Sequence, residues 1–285
     1  MDPVQKLNED FKKYIQAPFE KWDIIEGALL VARQEYPGLE IEKYKTTVDE
    51  MTRGAVNRLA GALGKKDQLD RLNAYFFGEL GFEGERNDYY DPRNSYLPDV
   101  LDRRRGIPIS LSALYLRLAW GAGIPLYGVN FPGHFLVVYK ESNLDIEKNL
   151  YVDVFNGGKV LGLEEMKGLL SRSGRRVEKL EPATHLRNAG VLQILHRLLG
   201  NLKAIHASQG RVERALWAAE WMMLLLSNDW ECLRDKGLFC YSLGRLEEAE
   251  KALSTYLEHY THARDFSKIW NILAVIRVSF PANLN

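Results

Sequence analysis

Residues 110–140 read SLSALYLRLAWGAGIPLYGVNFPGHFLVVYK, and their hydrophobic pattern changes halfway along. Residues 110–122 are apolar at nearly every position and predict a buried helix, with Ser110 or its neighbourhood as N-cap. Gly123 stops that helix before Ile124-Pro125. Short β-rich runs follow at residues 126–130, 134–140 (HFLVVYK) and 150–154 (LYVDV), and Asn156-Gly157-Gly158 marks a tight turn. A helix leading into an antiparallel meander predicts an α+β domain.

Upstream, the chain reads as helical. Ile24, Ile25, Ala28, Leu29 and Ala32 keep the spacing of a buried stripe until Pro37-Gly38. Residues 44–63 predict a helix with Val48, Met51, Ala55 and Leu59 on one face, and residues 69–80 another that closes at Gly81. Residues 82–98 (FEGERNDYYDPRNSYLP) read as loop, and 99–105 as a short helix with Gly106 as its stop. Residues 1–185 are assigned to this first domain, with 20–81 its helical part.

Downstream the chain repeats. Gly210-Arg211-Val212-Glu213-Arg214-Ala215 recurs 34 residues later as Gly244-Arg245-Leu246-Glu247-Glu248-Ala249, the period of tetratricopeptide helix pairs. Each glycine fits the turn between paired helices, where a side chain is expected to clash. Ala215, Ala249 and Gly237 fit small positions at helix crossings. Residues 186–285 therefore read as two tetratricopeptide repeats with a capping helix over 267–278.

The 285-residue chain is 46% hydrophobic and 27% charged, which excludes a disordered chain. Its 38 basic and 38 acidic residues leave a formal net charge of zero, so no nucleic-acid partner is expected. Cys232 and Cys240 would lie about 12 Å apart along one helix, too far for a disulfide. The polar start MDPVQKLNEDFKKYIQ has no signal-peptide core, and no apolar run approaches bilayer length. A cytoplasmic protein without membrane association is expected. No phosphate loop, HExxH or CxxC occurs, so no cofactor or metal is expected. Asp88, Asp91, Asp99 and Asp102 read as turn and cap residues, and Arg103-Arg104-Arg105 as a solvated helix end. Trp217, Trp221 and Trp230 could line a peptide groove or pack between helices; packing is the expectation.

His134 is the one histidine before residue 185, and Asp153 follows it by 19 residues in the next strand-like run. A histidine and an aspartate on neighbouring strands form the orienting half of a nucleophilic triad. The same spacing also suits a core histidine bonded to a carbonyl, with Asp153 as a turn residue, and from spacing alone that is the expectation.

Four segments extend the pattern: YYDPRNSYL (89–97), RRRGIPISLS (103–112), FPGHFLV (131–137) and DVFNGG (153–158). Together they resemble the SirB-type family of bacterial proteins, over roughly residues 25–275. The resemblance implies a transglutaminase-like or papain-like domain with an antiparallel sheet, followed by an all-α region of tetratricopeptide helix pairs. It further implies a nucleophile at a helix start, with His134 and Asp153 at the family's histidine and aspartate positions. Asn94 and Tyr96 would line the cleft.

The family's cysteine has no counterpart here. Gly123-Ile124-Pro125 resembles the L-G-I-P that follows this helix in catalytic relatives; read back from it without a gap, the resemblance implies Pro108 at the nucleophile position, and proline has no nucleophilic side chain. Ser110 lies about 200° around the helix from that position, and Ser112 shares its face roughly 5.4 Å further along. Capping is expected for Ser110 and packing for Ser112. The sequence thus predicts a catalytically inactive transglutaminase-like protein that binds a protein or peptide through its repeats and vestigial cleft. The alternatives are an amide hydrolase or acyltransferase using a serine or water with the His–Asp pair, and a structural adaptor.

Overall fold

The computed structural model describes residues 3–141, 145–172 and 180–279. Two compact units divide the chain, residues 1–198 and 199–285. The first is built around a helix that is apolar on every side.

In order, the first unit comprises α1 (Pro3–Gln16), α2 (Ile24–Ala32), α3 (Ile41–Leu59), α4 (Gly64–Asn73), β1 (Glu83–Gly84), α5 (Leu97–Arg103), β2 (Arg105–Gly106) and α6 (Pro108–Gly121). Then come β3 (Leu126–Val129), β4 (Leu136–Tyr139), β5 (Leu150–Asp153), β6 (Lys159–Leu161), α7 (Leu163–Arg172), α8 (Pro182–His185), β7 (Asn188–Ala189) and α9 (Val191–Ser208), which crosses into the second unit. The predicted buried helix is α6. Every residue from Pro108 to Leu116 is buried, because α3 packs on one side of it and β3 and β4 on the other. The five-stranded antiparallel sheet has the order β6-β5-β4-β3-β7. Its other face packs Leu136, Val138 and Tyr151 against Met166 and Leu170 of α7. Covering on both faces explains why β4 is apolar throughout rather than alternating.

Local readings are revised in four places. Ser110 is not the N-cap: Ile107 holds that place and Pro108 opens the helix, where its missing N–H costs nothing. The short helix runs over Leu97–Arg103, earlier than expected, and Gly106 does not stop it. Arg104 takes the left-handed position there (φ 58°), its guanidinium 4.9 Å from the Phe82 ring centroid. That stacking supports a backbone conformation unfavourable for a side-chain-bearing residue. The loop at 82–98 also supplies β1, which pairs in parallel with β2. The arginine run is consequently no solvated end. Arg105 bonds Glu83 at 2.6 Å, and Arg103 bonds the Asn94 side chain at 3.2 Å and lies within ion-pair range of Glu85 and Asp91.

The second unit continues with α10 (Val212–Leu225), α11 (Trp230–Ser242), α12 (Leu246–His259) and α13 (Phe266–Ser279). Residues 210 and 244 fall at matching helix–helix turns, with φ of 71° and 72°. Their requirement for glycine is conformational, and the expected clash is not the reason: a Cβ at either would meet nothing within 4 Å. Gly237 is sterically constrained, since a Cβ there would lie 2.7 Å from Leu253.

Candidate functional site

The sheet brings His134 and Asp153 together by joining β4 to β5. Pro132 and Gly133 (φ 69°) turn the chain just before β4, so His134 sits in that turn and does not itself open the strand. Asp153 is the last residue of β5. His134 Nε2 lies 2.9 Å from Asp153 Oδ1, with the histidine side chain 12% exposed and Asp153 2% exposed.

Burial raises the Asp153 pKa, but hydrogen bonds from His134 and Asn156 outweigh it and hold the carboxyl below the usual range. An ionised carboxylate only accepts, so Nε2 carries the proton and a neutral imidazole keeps its lone pair on Nδ1. This is the protonation pattern of an oriented general base. Asn156 completes the group: its backbone N–H donates to Oδ1 at 3.1 Å and its Nδ2 to Oδ2 at 2.7 Å. The Asn-Gly-Gly signal predicted a turn and did not reveal this contact.

The turn is anchored from behind. Asn73 Nδ2 donates to the Gly158 carbonyl at 3.0 Å, and Tyr115 Oη donates to Asn73 Oδ1 at 2.8 Å. Gly158 has φ 75°, and a Cβ on it would lie 2.2 Å from Asn73 Oδ1, so only glycine fits. Arg86 closes the outer side, donating from Nη2 to Asn156 Oδ1 at 2.6 Å and lying 5.5 Å from the Phe155 ring centroid. Phe155 in turn meets His134 and Tyr89 edge-on, each at 6.1 Å between centroids.

The start of α6 offers little chemistry of its own. Pro108 is buried at the first turn of α6. Ser110 Oγ accepts from the Ile107 N–H at 3.1 Å and donates to the Asn94 carbonyl at 2.6 Å. Ser112 Oγ is buried with no hydrogen-bond partner among the described residues. No hydrogen bond links His134 to either serine there. Asn94 and Tyr96, expected at a cleft, instead lie in the core at 0% and 2% exposure. The Asn94 Nδ2 donates to the Asp88 carbonyl at 2.6 Å, and Tyr96 packs edge-on against Tyr36.

Asp91 caps a single turn at Pro92–Asn94, as expected of a turn residue. Asp99 and Asp102 instead accept from Tyr36 and Tyr44 at 2.7 and 2.8 Å. Among the described residues, no three His, Cys, Asp or Glu side chains converge as metal ligands, and no helix is long and apolar enough to cross a membrane.

In the second unit both cysteines are free and buried. Burial pushes the Cys232 thiol up to about 12. Trp221 is buried and meets Trp217 of the same helix at 5.2 Å, while Trp230 of α11 stacks on His259 of α12 at 3.9 Å and so packs between helices.

Comparison with known proteins adds a lineage. Residues 42–200 match the family model of the transglutaminase-like superfamily, and residues 202–274 match a tetratricopeptide-repeat model. A "UPF0162 protein" of Xylella fastidiosa is 38% identical over 86% of this chain and 88% of its own. Its counterpart in Vibrio cholerae is 28% identical over 85% and 87%. Human "F-box only protein 21" is 32% identical over 72% of this chain but only 36% of its own length.

Proposed function

The chain belongs to the transglutaminase-like superfamily, and from that premise we propose that it is a non-catalytic, SirB-type member that binds protein or peptide through its helical repeats and the cleft at His134 and Asp153. The presence of tetratricopeptide repeats supports the coarser part, a role in protein interaction. Pro108 supports the finer part, because it occupies the helix start where the family resemblance implies a cysteine. Neither thiol substitutes for it: Cys232 and Cys240 are buried in the repeat unit with raised pKa values. Free cysteines also favour a reducing compartment, and we place the protein in the cytoplasm. The balanced charge supports a partner that is neither nucleic acid nor membrane.

Purified chain and its His134→Ala variant, assayed for hydrolysis and transamidation of peptide amides, should give no histidine-dependent turnover. Turnover lost in the variant, with folding intact, would overturn the reading.

A second reading is an amide hydrolase or acyltransferase that activates water or a serine. Its support is the ionised Asp153 paired with His134, which leaves a lone pair at Nδ1. The serine version is the weaker, because Ser110 is engaged with Ile107 and Asn94. Fluorophosphonate labelling of Ser110 or Ser112 would favour it.

A further inference from the structure

The surface beside the His–Asp pair combines aromatic rings with the guanidinium of Arg86, and Arg197, bonded to Asn130, adds its charge near Tyr89. Tyr90 is 69% exposed and meets Tyr89 edge-on at 5.4 Å; Tyr89 meets Phe155, and Phe155 meets His134. The four side chains form a continuous row from solvent to the buried carboxylate. Arg86 lies over Phe155 and is exposed.

Arg86 bonds the neutral Asn156 side chain and forms no ion pair with an acidic residue among the described residues. Other arginines of the same segment are neutralised: Arg93 by Asp91 at 2.6 Å and Arg105 by Glu83 at 2.6 Å. Of the carboxylates around the row, Asp91 pairs with Arg93, exposed Asp88 next to Tyr89 also lies in the field of Arg93, and Asp153 is buried and saturated by His134 and Asn156. A guanidinium with free donors above an aromatic shelf suits a carboxylate attached to an apolar or aromatic neighbour.

We propose that Arg86, Tyr89, Tyr90 and Phe155 form a docking surface for an acidic peptide segment of a partner protein, with a carboxylate on Arg86 and an adjacent apolar side chain on the rings. Rings supply most of the contact area at low entropic cost, and the cation selects for charge. The proposal rests on the peptide-binding reading above and names the class of peptide.

The test uses the full chain and two fluorescein-labelled peptides, Glu-Phe-Glu-Phe-Glu and its Gln-Phe-Gln-Phe-Gln counterpart, followed by fluorescence anisotropy. The acidic peptide should bind more tightly, and Arg86→Gln should weaken it by roughly fivefold, the upper range for an exposed ion pair. Added salt should narrow the difference between the two peptides. Arg86→Glu should reverse the preference toward Lys-Phe-Lys-Phe-Lys, a gain that a damaged fold would not produce. Equal binding of the acidic and neutral peptides, or unchanged affinity in Arg86→Gln, overturns the proposal. Mass spectrometry of the same peptides separates this result from the parent reading. Histidine-dependent cleavage would defeat the non-catalytic assignment, whereas Arg86-dependent binding would still support the acidic ligand class.

Discussion

Asn156 holds both oxygens of Asp153, one through its backbone N–H at 3.1 Å and the other through its side-chain amide at 2.7 Å. The carboxylate therefore keeps two donors when His134 is removed, but loses one at Oδ2 when Asn156 is truncated. We expect His134→Ala to cost about 1.5 kcal/mol of stability, the low end for a hydrogen bond to a charged group, and Asn156→Ala about 3 kcal/mol, because it leaves a buried charged oxygen unsatisfied. Urea unfolding at neutral pH gives both numbers, and a larger loss in His134→Ala would contradict this ranking.

Acid titration probes the same pair. The folded pKa of Asp153 is depressed, so its contribution is fully present above the unfolded value of about 3.9 and disappears as pH falls through the folded value. The Asn156→Ala variant should show a weaker acid-limb dependence than the parent chain. Parallel unfolding curves for the two below pH 4 would mean that Asn156 does not set the Asp153 titration.

Pro108 can be tested by replacement. Pro108→Cys would put a thiol in the first turn of α6, where the helix dipole favours thiolate. The new group should titrate below the free-cysteine value of about 8.5, as read from ultraviolet thiolate absorbance. Adding His134→Ala should raise that value again if the two positions face one another. An indifferent second substitution would show that the inferred nucleophile position is wrong.

Glycines in the repeats separate two physical requirements. Gly210→Ala and Gly244→Ala force a side chain into φ near +71°, costing roughly 1–2 kcal/mol each, with open space around the new methyl. Gly237→Val should cost more, since even the first carbon meets Leu253 at 2.7 Å and Ala252 at 3.2 Å. Thermal unfolding should rank the valine variant as the least stable of the three.

Much of this architecture is local enough to read from the chain. The apolar run of α6 and the short β-rich runs of the three strands at 126–129, 136–139 and 150–153 show by composition and length, and the 34-residue repeat by its period. Two-residue strands such as β1, β2 and β7 are too short to carry a period, and only their distant partners define them. Arg104 takes a glycine-like conformation that depends on Phe82, 22 residues away. The site divides in the same way. His134 and Asp153 stand out as a rare histidine and an aspartate within an apolar run, whereas Asn94 and Tyr96 look like cleft residues yet are consumed by the core. Asn156 is the reverse case: it reads as a turn former, and its side chain orients the carboxylate.

His206, within α9, offers a pH test confined to the second unit. Burial, with Arg214 and Arg211 nearby, lowers its pKa to about 4. An unfolded histidine titrates near 6.5, so the unfolded chain binds the proton first as the pH falls. The stability contributed by neutral His206 is therefore complete above about pH 6.5 and declines toward pH 4, with a limiting slope of about 1.4 kcal/mol per pH unit. His206→Gln cannot take up that proton, and its stability should vary less across the same window even if its absolute value is lower. Urea midpoints at successive pH values for the two chains, followed by far-ultraviolet circular dichroism to report the helical repeats, provide the comparison. Identical slopes would mean that His206 is protonated as readily in the folded chain as in the unfolded one, which is incompatible with a neutral imidazole buried beside two arginines.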